Sequence, residues 1–272
     1  MSRFNWSEER KIYAACGCNT GLKRTENEDN LYFGGEHLPY NNDGLNDAAT
    51  VVCRTDMEVP ATERLFAVFD GIGGAENGEV ASYVAAYSAY KFLKDPANIC
   101  NMDISPSMVD LCISMNEAVT EEAERLESRQ MGSTFAGLFF GDCYVWCCNL
   151  GDSRCYIFRN DELIQLSEDH TIEYETEIDG HKEKKPYITQ FLGVNITDTE
   201  MVPSVSRHKV REDDVFLICS DGLTDMVTEE RISEILSENT RPEETVKKLI
   251  AEALANGGGD NVTVIICKSV FE

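Results

Sequence analysis

Four stretches of the sequence place carboxylates where an apolar run meets a turn. Arg24-Thr-Glu-Asn-Glu28-Asp29-Asn30 leads into Leu31-Tyr-Phe33, and Leu65-Phe-Ala-Val-Phe69 runs into Asp70-Gly71-Ile72-Gly73-Gly74. Val215-Phe-Leu-Ile-Cys219 runs into Ser220-Asp221-Gly222-Leu223-Thr224-Asp225, and Gly257-Gly-Gly-Asp260-Asn261 feeds Val262-Thr-Val-Ile-Ile266. Taken singly, each reads equally well as an ordinary turn, because Asp-Gly and Gly-rich Asp-Asn sequences are common turn formers. Together they set Glu28, Asp29, Asp70, Asp221 and Asp260 at strand ends, where a packed sheet can gather them. Gathered carboxylates repel unless a cation joins them. An oxygen-only set suits Mg2+ or Mn2+ rather than zinc. The glycines after Asp70 let the backbone approach closely, so a main-chain carbonyl can join the set.

Competing chemistry has weaker support. Cys148-Asn-Leu-Gly-Asp-Ser-Arg154 matches C-x5-R, the loop of phosphatases in which a thiolate attacks phosphorus. That loop should lead into a helix N-terminus facing the anion, whereas Cys155-Tyr-Ile-Phe158 has strand character and Asp152 would repel phosphate. A cysteine-dependent phosphatase stays as an alternative. His37, His170, His181 and His208 show no HxxxH spacing, and no GxxxxGK[ST] phosphate loop is present.

Composition narrows the partners. The chain has 49 Asp plus Glu against 24 Lys plus Arg, a formal charge of −25, which excludes a nucleic-acid binder working by counterion release and argues against a polybasic membrane anchor. Hydrophobic residues make up 42% of it, so a packed core rather than disorder is expected. The 11 cysteines are odd in number and scattered, unlike a secreted disulfide scaffold, and read as small core hydrophobes in a reducing cytoplasm. The N-terminal MSRFNWSEERK carries no apolar leader, and no apolar run is long enough to span a bilayer.

The elements that must position these acids are readable in outline. Strands are expected at about Ile12–Cys18, Asn30–Phe33, Arg64–Phe69, Thr134–Phe140, Tyr144–Leu150, Arg154–Arg159, Val215–Cys219 and Val262–Cys267, with Asn160-Asp161 as a tight hairpin turn into Leu163–Leu166. Helices are expected over Gly78–Leu93 and about Pro106–Ser128, the second N-capped by Ser105. Two more are expected over Glu229–Glu238 and Arg241–Asn256, with Thr240-Arg-Pro-Glu243 as a capping box and Gly257 as the stop. Runs of strands followed by helix pairs point to an α+β fold of antiparallel sheet with helices outside it. No linker-like segment divides the chain, so residues 1–272 read as a single domain.

In order, R-x-x-N-E-D, D-G-x-G-G, M-G-S-T, G-D-S-R, D-H-T, S-D-G-L-x-D and G-G-x-D-N-V-T-V resemble the motifs of the PPM (PP2C-type) metal-dependent protein serine/threonine phosphatases, bacterial-like branch. The motifs run from Arg24 to Val264. The resemblance implies a four-layer α-β-β-α sandwich, two antiparallel sheets flanked by helix pairs. It implies two divalent ions, Mn2+ or Mg2+, bridged by Asp70, which also positions the nucleophilic water. The Gly71 carbonyl and, directly or through water, Glu28 belong to one ion, Asp221 and Asp260 to the other, with Asp29 and Asn261 just behind the ligands. Arg24 matches the arginine that grips phosphate, although by itself it also reads as a surface ion pair. Hydrolysis would be direct, by metal-activated water and without a phosphoenzyme.

The sequence departs from the family in two places. Ile72 stands where some members carry a histidine proposed as general acid, and water then serves as proton donor. The stretch Glu127-Ser-Arg-Gln130 lacks the aspartate that bacterial members use for a third ion, which leaves that ion open. Residues 171–187 match the family's flap, here short, with charge swinging from acidic (Glu173, Glu175, Glu177, Asp179) to basic (His181, Lys182, Lys184, Lys185). The lysines are read as helping to choose substrates. The implied partner is a phosphoprotein with basic surroundings at its phosphosite, met by a cytoplasmic signalling monomer with no nucleic acid and no membrane. An inactive binding module of the same fold is the other alternative.

Overall fold

The computed structural model of the chain describes residues 10–54, 59–72, 77–99, 103–128, 130–178, 181–195 and 200–271. Through the first third of the chain come β1 (Arg10–Asn19), β2 (Asp29–Phe33), β3 (Glu36–His37), β4 (Ala49–Arg54), a short α1 (Ala61–Arg64), β5 (Leu65–Ile72) and α2 (Gly78–Lys94). Then follow α3 (Ile104–Arg125), β6 (Gly132–Ser133), β7 (Phe135–Phe140), β8 (Tyr144–Leu150), β9 (Arg154–Arg159), β10 (Glu162–Gln165), β11 (Thr171–Ile178) and β12 (His181–Ile188). The last third holds β13 (Ser204–Lys209), β14 (Val215–Cys219), α4 (Asp221–Thr224), α5 (Glu229–Ser237), α6 (Pro242–Ala255) and β15 (Val262–Phe271).

Two antiparallel sheets result. One runs β10-β9-β14-β15-β1-β4 and the other β13-β8-β7-β5-β2-β3, with β6 on the end of β5. The period of two along each strand explains why near-continuous apolar runs are needed. In β5, Phe66 and Val68 face the β10-β9-β14-β15-β1-β4 sheet while Leu65, Ala67 and Phe69 face α2 and α3. In β14, Phe216 and Ile218 point between the sheets while Leu217 and Cys219 lie under α5 and α6. Three apolar layers therefore separate four layers of structure, α-β-β-α, as expected from the sequence. Each fully buried Phe or Leu contributes about 1.5–3 kcal/mol of transfer free energy.

Several boundaries differ from expectation. The cap of α3 is Asp103, whose carboxylate accepts from Ser105 N, so Ser105 lies inside the helix rather than at its cap. Asp103 can reach back over the first turn with a short acceptor, and its place one residue before Ile104 fits the apolar stripe better. At α6, Arg241 takes the cap position without a side-chain bond, and Thr240 Oγ1 instead meets Thr245 Oγ1 at 2.9 Å. The expected capping box does not form. Thr228 does cap α5, accepting from Arg231 N. The Asn160-Asp161 turn is as expected, with both residues at positive φ (53° and 61°), the pattern of a type I′ hairpin. β4, β13 and the ribbon β11–β12 form where the sequence reading had no strand.

The connectivity gathers loops from distant parts of the chain. β15 pairs with β1 from Arg10↔Phe271 to Asn19↔Val262, and with β14 on its other side. The loop before β15, the loop after β1 and the junction after β14 therefore share one edge. In the facing sheet β2 pairs with β5 so that Asp29 stands opposite Asp70.

Candidate metal centre

The site is built from backbone outward. Ser220 ends β14 and Asp221 opens α4 directly behind it. At Gly222 a side chain would run into the Asn261 carbonyl, so only glycine lets this helix press against the Asp260-Asn261 loop. Asn261 locks that loop to the one carrying Arg24 and Glu28. Its Oδ1 accepts from Glu28 N at 2.8 Å, and its Nδ2 donates to Thr20 O at 2.8 Å and Glu26 O at 3.0 Å. Gly71 N donates to Glu28 O at 3.1 Å. Asp70 N is bonded by Thr134 Oγ1 at 3.0 Å, which in turn meets Ser153 Oγ at 2.7 Å.

All the sequence-predicted acids come to this edge. Asp70 and Asp221 lie close enough to act on each other, and Asp29, Asp152 and Asp225 close enough to act on one or both. Loss of hydration first, then Asp221, Asp29 and Asp152, hold the Asp70 carboxyl well above the usual carboxylate range. Asp221 is pushed up to about 7 by burial, then by Asp152 and Asp225. Asp29 is likewise pushed up to about 7, mainly by burial, although hydrogen bonds from Thr263 and Ser220 pull the other way. Glu28 is raised by burial against the pull of Arg24. This edge holds more negative charge than its own arginine neutralises.

Arg24 sits on the rim, 46% exposed, with Nη2 donating to Asp260 Oδ2 at 2.7 Å and Nη1 3.8 Å from Glu28 Oε2. The surface ion pair envisaged from sequence is thus the arrangement seen, and it engages two of the predicted ligands. Among the described residues no three Asp, Glu, His or Cys side chains already meet as a complete cage. Asp260 is drawn to Arg24 instead.

The donors nevertheless fit a hard divalent cation. They are all oxygens. A side chain at Gly78 would stand 2.6 Å from Glu28 Oε1 and 3.1 Å from Gly71 O, so a carboxylate and a carbonyl converge on one small space kept open by glycine. Asp29 Oδ1 is buried and has no hydrogen-bond partner among the described residues, while its Oδ2 accepts from Ser220 Oγ at 2.8 Å and Thr263 Oγ1 at 2.6 Å. Sequence reasoning gave no role to Ser220, Thr263, Thr134 or Ser153. The available signal was their place inside the motifs, one or two residues from the acids.

The rival site is dismantled by the same geometry. Cys148 is fully buried, 3.5 Å from Cys112 Sγ, and its thiol is held well above the ordinary range by that contact and by burial. Arg154 is turned to Asp169, with Nη2 2.6 Å from Oδ2, and to Tyr156 Oη. A buried neutral thiol whose motif arginine is engaged by Asp169 and Tyr156 is not a phosphate nucleophile. His170 ties down the root of the β11–β12 ribbon, its Nδ1 accepting from Gly151 N at 3.2 Å. Glu127, the acid nearest the place of the missing aspartate, is exposed in the left-handed turn that ends α3. The ribbon pairs Glu175 with Lys184 and Glu177 with Lys182 along its backbone. Asp179 and the side chains of residues 175–186 lie outside the described residues, and with them the substrate-choosing lysines.

Comparison with known proteins points one way. The family model described as protein phosphatase 2C matches residues 41–262. The serine/threonine protein phosphatase PstP of Mycobacterium tuberculosis is 32% identical over 83% of this chain. This chain spans only 44% of that relative's length. The serine/threonine phosphatase stp of Listeria innocua is 31% identical over 73% of this chain and 82% of its own. Among solved structures, the catalytic domain of PstP in complex with two manganese ions superposes with a TM-score of 0.73 at 28% identity, covering 96% of this chain and 99% of that one.

Proposed function

Because the chain belongs to the protein phosphatase 2C family, we propose that it is a metal-dependent phosphatase that removes phosphate from serine and threonine side chains of proteins. The observation that carries this is the convergence of Glu28, Gly71 O, Asp70, Asp221 and Asp260 on one edge, with Arg24 at its rim. In this reading Glu28 and the Gly71 carbonyl would help hold one divalent ion and Asp221 and Asp260 another, with Asp70 serving both. The PstP structure with two manganese ions supports two ions and Mn2+ among the candidates. No third ion is assigned, since Glu127 points into solvent at a helix end.

When bound, the two ions supply Lewis acidity, bringing the deprotonation of water toward neutral pH and drawing charge off a phosphoryl group. The protein's own groups do the rest. Asp29, held by Ser220 and Thr263, presents Oδ1 as a fixed acceptor that orients a water molecule. Arg24 offers two N–H groups with the spacing of two phosphate oxygens, and an incoming phosphate competes with Asp260 and Glu28 for them. Asn261 keeps the Arg24 loop against Asp260. Attack is by water directly, Cys148 being walled off in the core.

We also read residues 1–272 as one domain, the β11–β12 ribbon as its flap and the protein as a cytoplasmic signalling monomer. The ten described cysteines are all free thiols, and among the described residues no helix is long and apolar enough to cross a membrane. Turnover of p-nitrophenyl phosphate and a phosphothreonine peptide, with Mn2+, with EDTA and after thiol alkylation, tests the activity. Hydrolysis should require metal, ignore alkylation and vanish in Asp221→Asn while the circular dichroism spectrum is unchanged. Turnover in EDTA would overturn the reading, and Mn2+ binding without turnover would favour an inactive binding module.

A further inference from the structure

One aromatic surface lies outside the metal centre, on the outer face of α2. On α2, Glu79, Tyr83, Tyr87 and Lys91 recur every four residues and share one face. The rings of Tyr83 and Tyr87 stack with planes 2° apart and centroids 6.1 Å apart. His37 of β3 stands edge-on to both, with centroids 5.4 and 5.7 Å away. Tyr40, from the loop after β3, meets Tyr83 at 6.3 Å. Tyr40 and Tyr87 are 49% and 41% exposed. The rings are held in place, not loose. His37 Nδ1 lies 3.1 Å from Leu38 O, and the Tyr40 loop is pinned through Asn42, which bonds Asn27, Pro39 O and Asp29 O.

We infer that this aromatic face is the docking surface for a basic segment, rich in Arg or Lys, that flanks the phosphorylated residue of a protein substrate. The inference rests on the phosphatase reading above and deepens it. Continuity with the metal centre is the first argument. α2 begins at Gly78, against the Glu28 carboxylate, and Asn42 anchors the Tyr40 loop to the backbone of Asp29. At about 1.5 Å per residue, Tyr83 and Tyr87 lie roughly 7.5 and 13.5 Å along the helix from Gly78. An extended peptide covers about 3.3 Å per residue, so side chains some two to four residues from the phosphorylated one reach the rings.

Charge complementarity is the second argument. Aromatic faces attract cations, and acids lie on the same helix face and in the adjoining segments. Glu79 lies one turn toward the metal centre, and Glu36 and Asp43 are exposed beside His37 and the Tyr40 loop. Lys91 already places its Nζ 4.9 Å from the centroid of the Tyr87 ring, an internal example of the contact an incoming cation would make. The same acids and the formal charge of −25 disfavour an anionic lipid surface or a second copy of the chain on this face.

The test uses two peptides and two separate readouts. Both peptides carry a non-hydrolysable phosphonate analogue of phosphothreonine. One has arginines two to four residues away on both sides, and the other has alanines there. Their dissociation constants are measured by fluorescence anisotropy with Mn2+ present. The arginine peptide should bind about fivefold or more tighter. The ratio should fall below about twofold in Tyr83→Ala/Tyr87→Ala and be retained in Tyr83→Phe/Tyr87→Phe, which keeps the rings. Tyr87→Ala alone, at an exposed position, should give an intermediate ratio and guards against misfolding of the double variant. Equal binding of the two peptides by the unaltered protein would overturn the inference. So would a ratio undiminished in the alanine variants, which would mean that diffuse charge alone attracts arginine. Turnover of p-nitrophenyl phosphate is read independently, so failure of the phosphatase reading and failure of the docking surface remain distinguishable.

Discussion

The Thr263 hydroxyl lies 2.6 Å from Asp29 Oδ2 and 3.1 Å from Cys18 Sγ, deep in the gap behind the metal centre. It and Ser220 are the two groups that hold Asp29 with Oδ1 left unpaired. Replacing Thr263 by Val keeps the shape and removes the donor. A buried acceptor that loses its partner costs about 1–3 kcal/mol, and the Asp29 carboxyl is then driven further toward its neutral form. Groups just behind metal ligands typically matter about 10–100-fold for affinity. Mn2+ binding by Thr263→Val, measured by titration calorimetry, should therefore weaken about tenfold, and Thr263→Ser should restore it. Unaltered Mn2+ affinity in the Val variant would show that Asp29 needs no such support. The acids themselves were legible because carboxylates next to glycine at strand ends have few alternative reasons to cluster. The hydroxyls were not, because Ser and Thr in strands and turns are too common to stand out until distances are known.

At the scale of elements, the legible strands were those buried on both faces, such as β5, β7 and β14, whose apolar runs satisfy two layers at once. The illegible ones lie at edges. β4 (Ala-Thr-Val-Val-Cys-Arg) and β13 (Ser-Val-Ser-Arg-His-Lys) bury little and are held by backbone pairing to one neighbour. In β11, Ile172, Tyr174 and Ile178 alternate with Glu173, Glu175 and Glu177, but in β12 the run His-Lys-Glu-Lys-Lys-Pro carries no such period, so the pair as a whole reads as a charged loop. The starts of α2 and α5 fall where the sequence places them, whereas those of α3 and α6 differ by the same one- or two-residue margin that separates Asp103 from Ser105. That difference is measurable. Asp103→Ala removes the acceptor for Ser105 N and should shift the unfolding equilibrium about fivefold in urea titrations. Ser105→Ala should leave the midpoint within error. The opposite ranking would put the cap back at Ser105.

For the whole molecule, the charge of −25 is not evenly spread in its consequences. Surface acids such as Glu122, Glu244 and Glu252 are held below the usual range by arginine neighbours, so their contribution is lost only as pH falls through the acid range. Asp29 and Asp221 are opposite in sign. Each is raised from the ordinary carboxylate value to about 7 in the folded state. The folded protein then binds more protons than the unfolded chain between about pH 4 and 7, so stability is fully present below that window and declines as pH rises through it. A divalent cation reverses this, because it binds the deprotonated acids and only in the folded state. Thermal unfolding in EDTA should give a lower midpoint at pH 7.5 than at pH 5.5. In Mn2+ the gain over EDTA should be small at pH 5.5 and several degrees larger at pH 7.5. An equal gain at both pH values would mean that the clustered acids do not hold the ion. A metal-free protein more stable at pH 7.5 than at pH 5.5 would mean that they are not forced together by the fold. The crowding itself follows from topology. β15, at the end of the chain, closes between β1 and β14 and so brings Asp260 against Asp221 across a separation in sequence that no local pattern encodes.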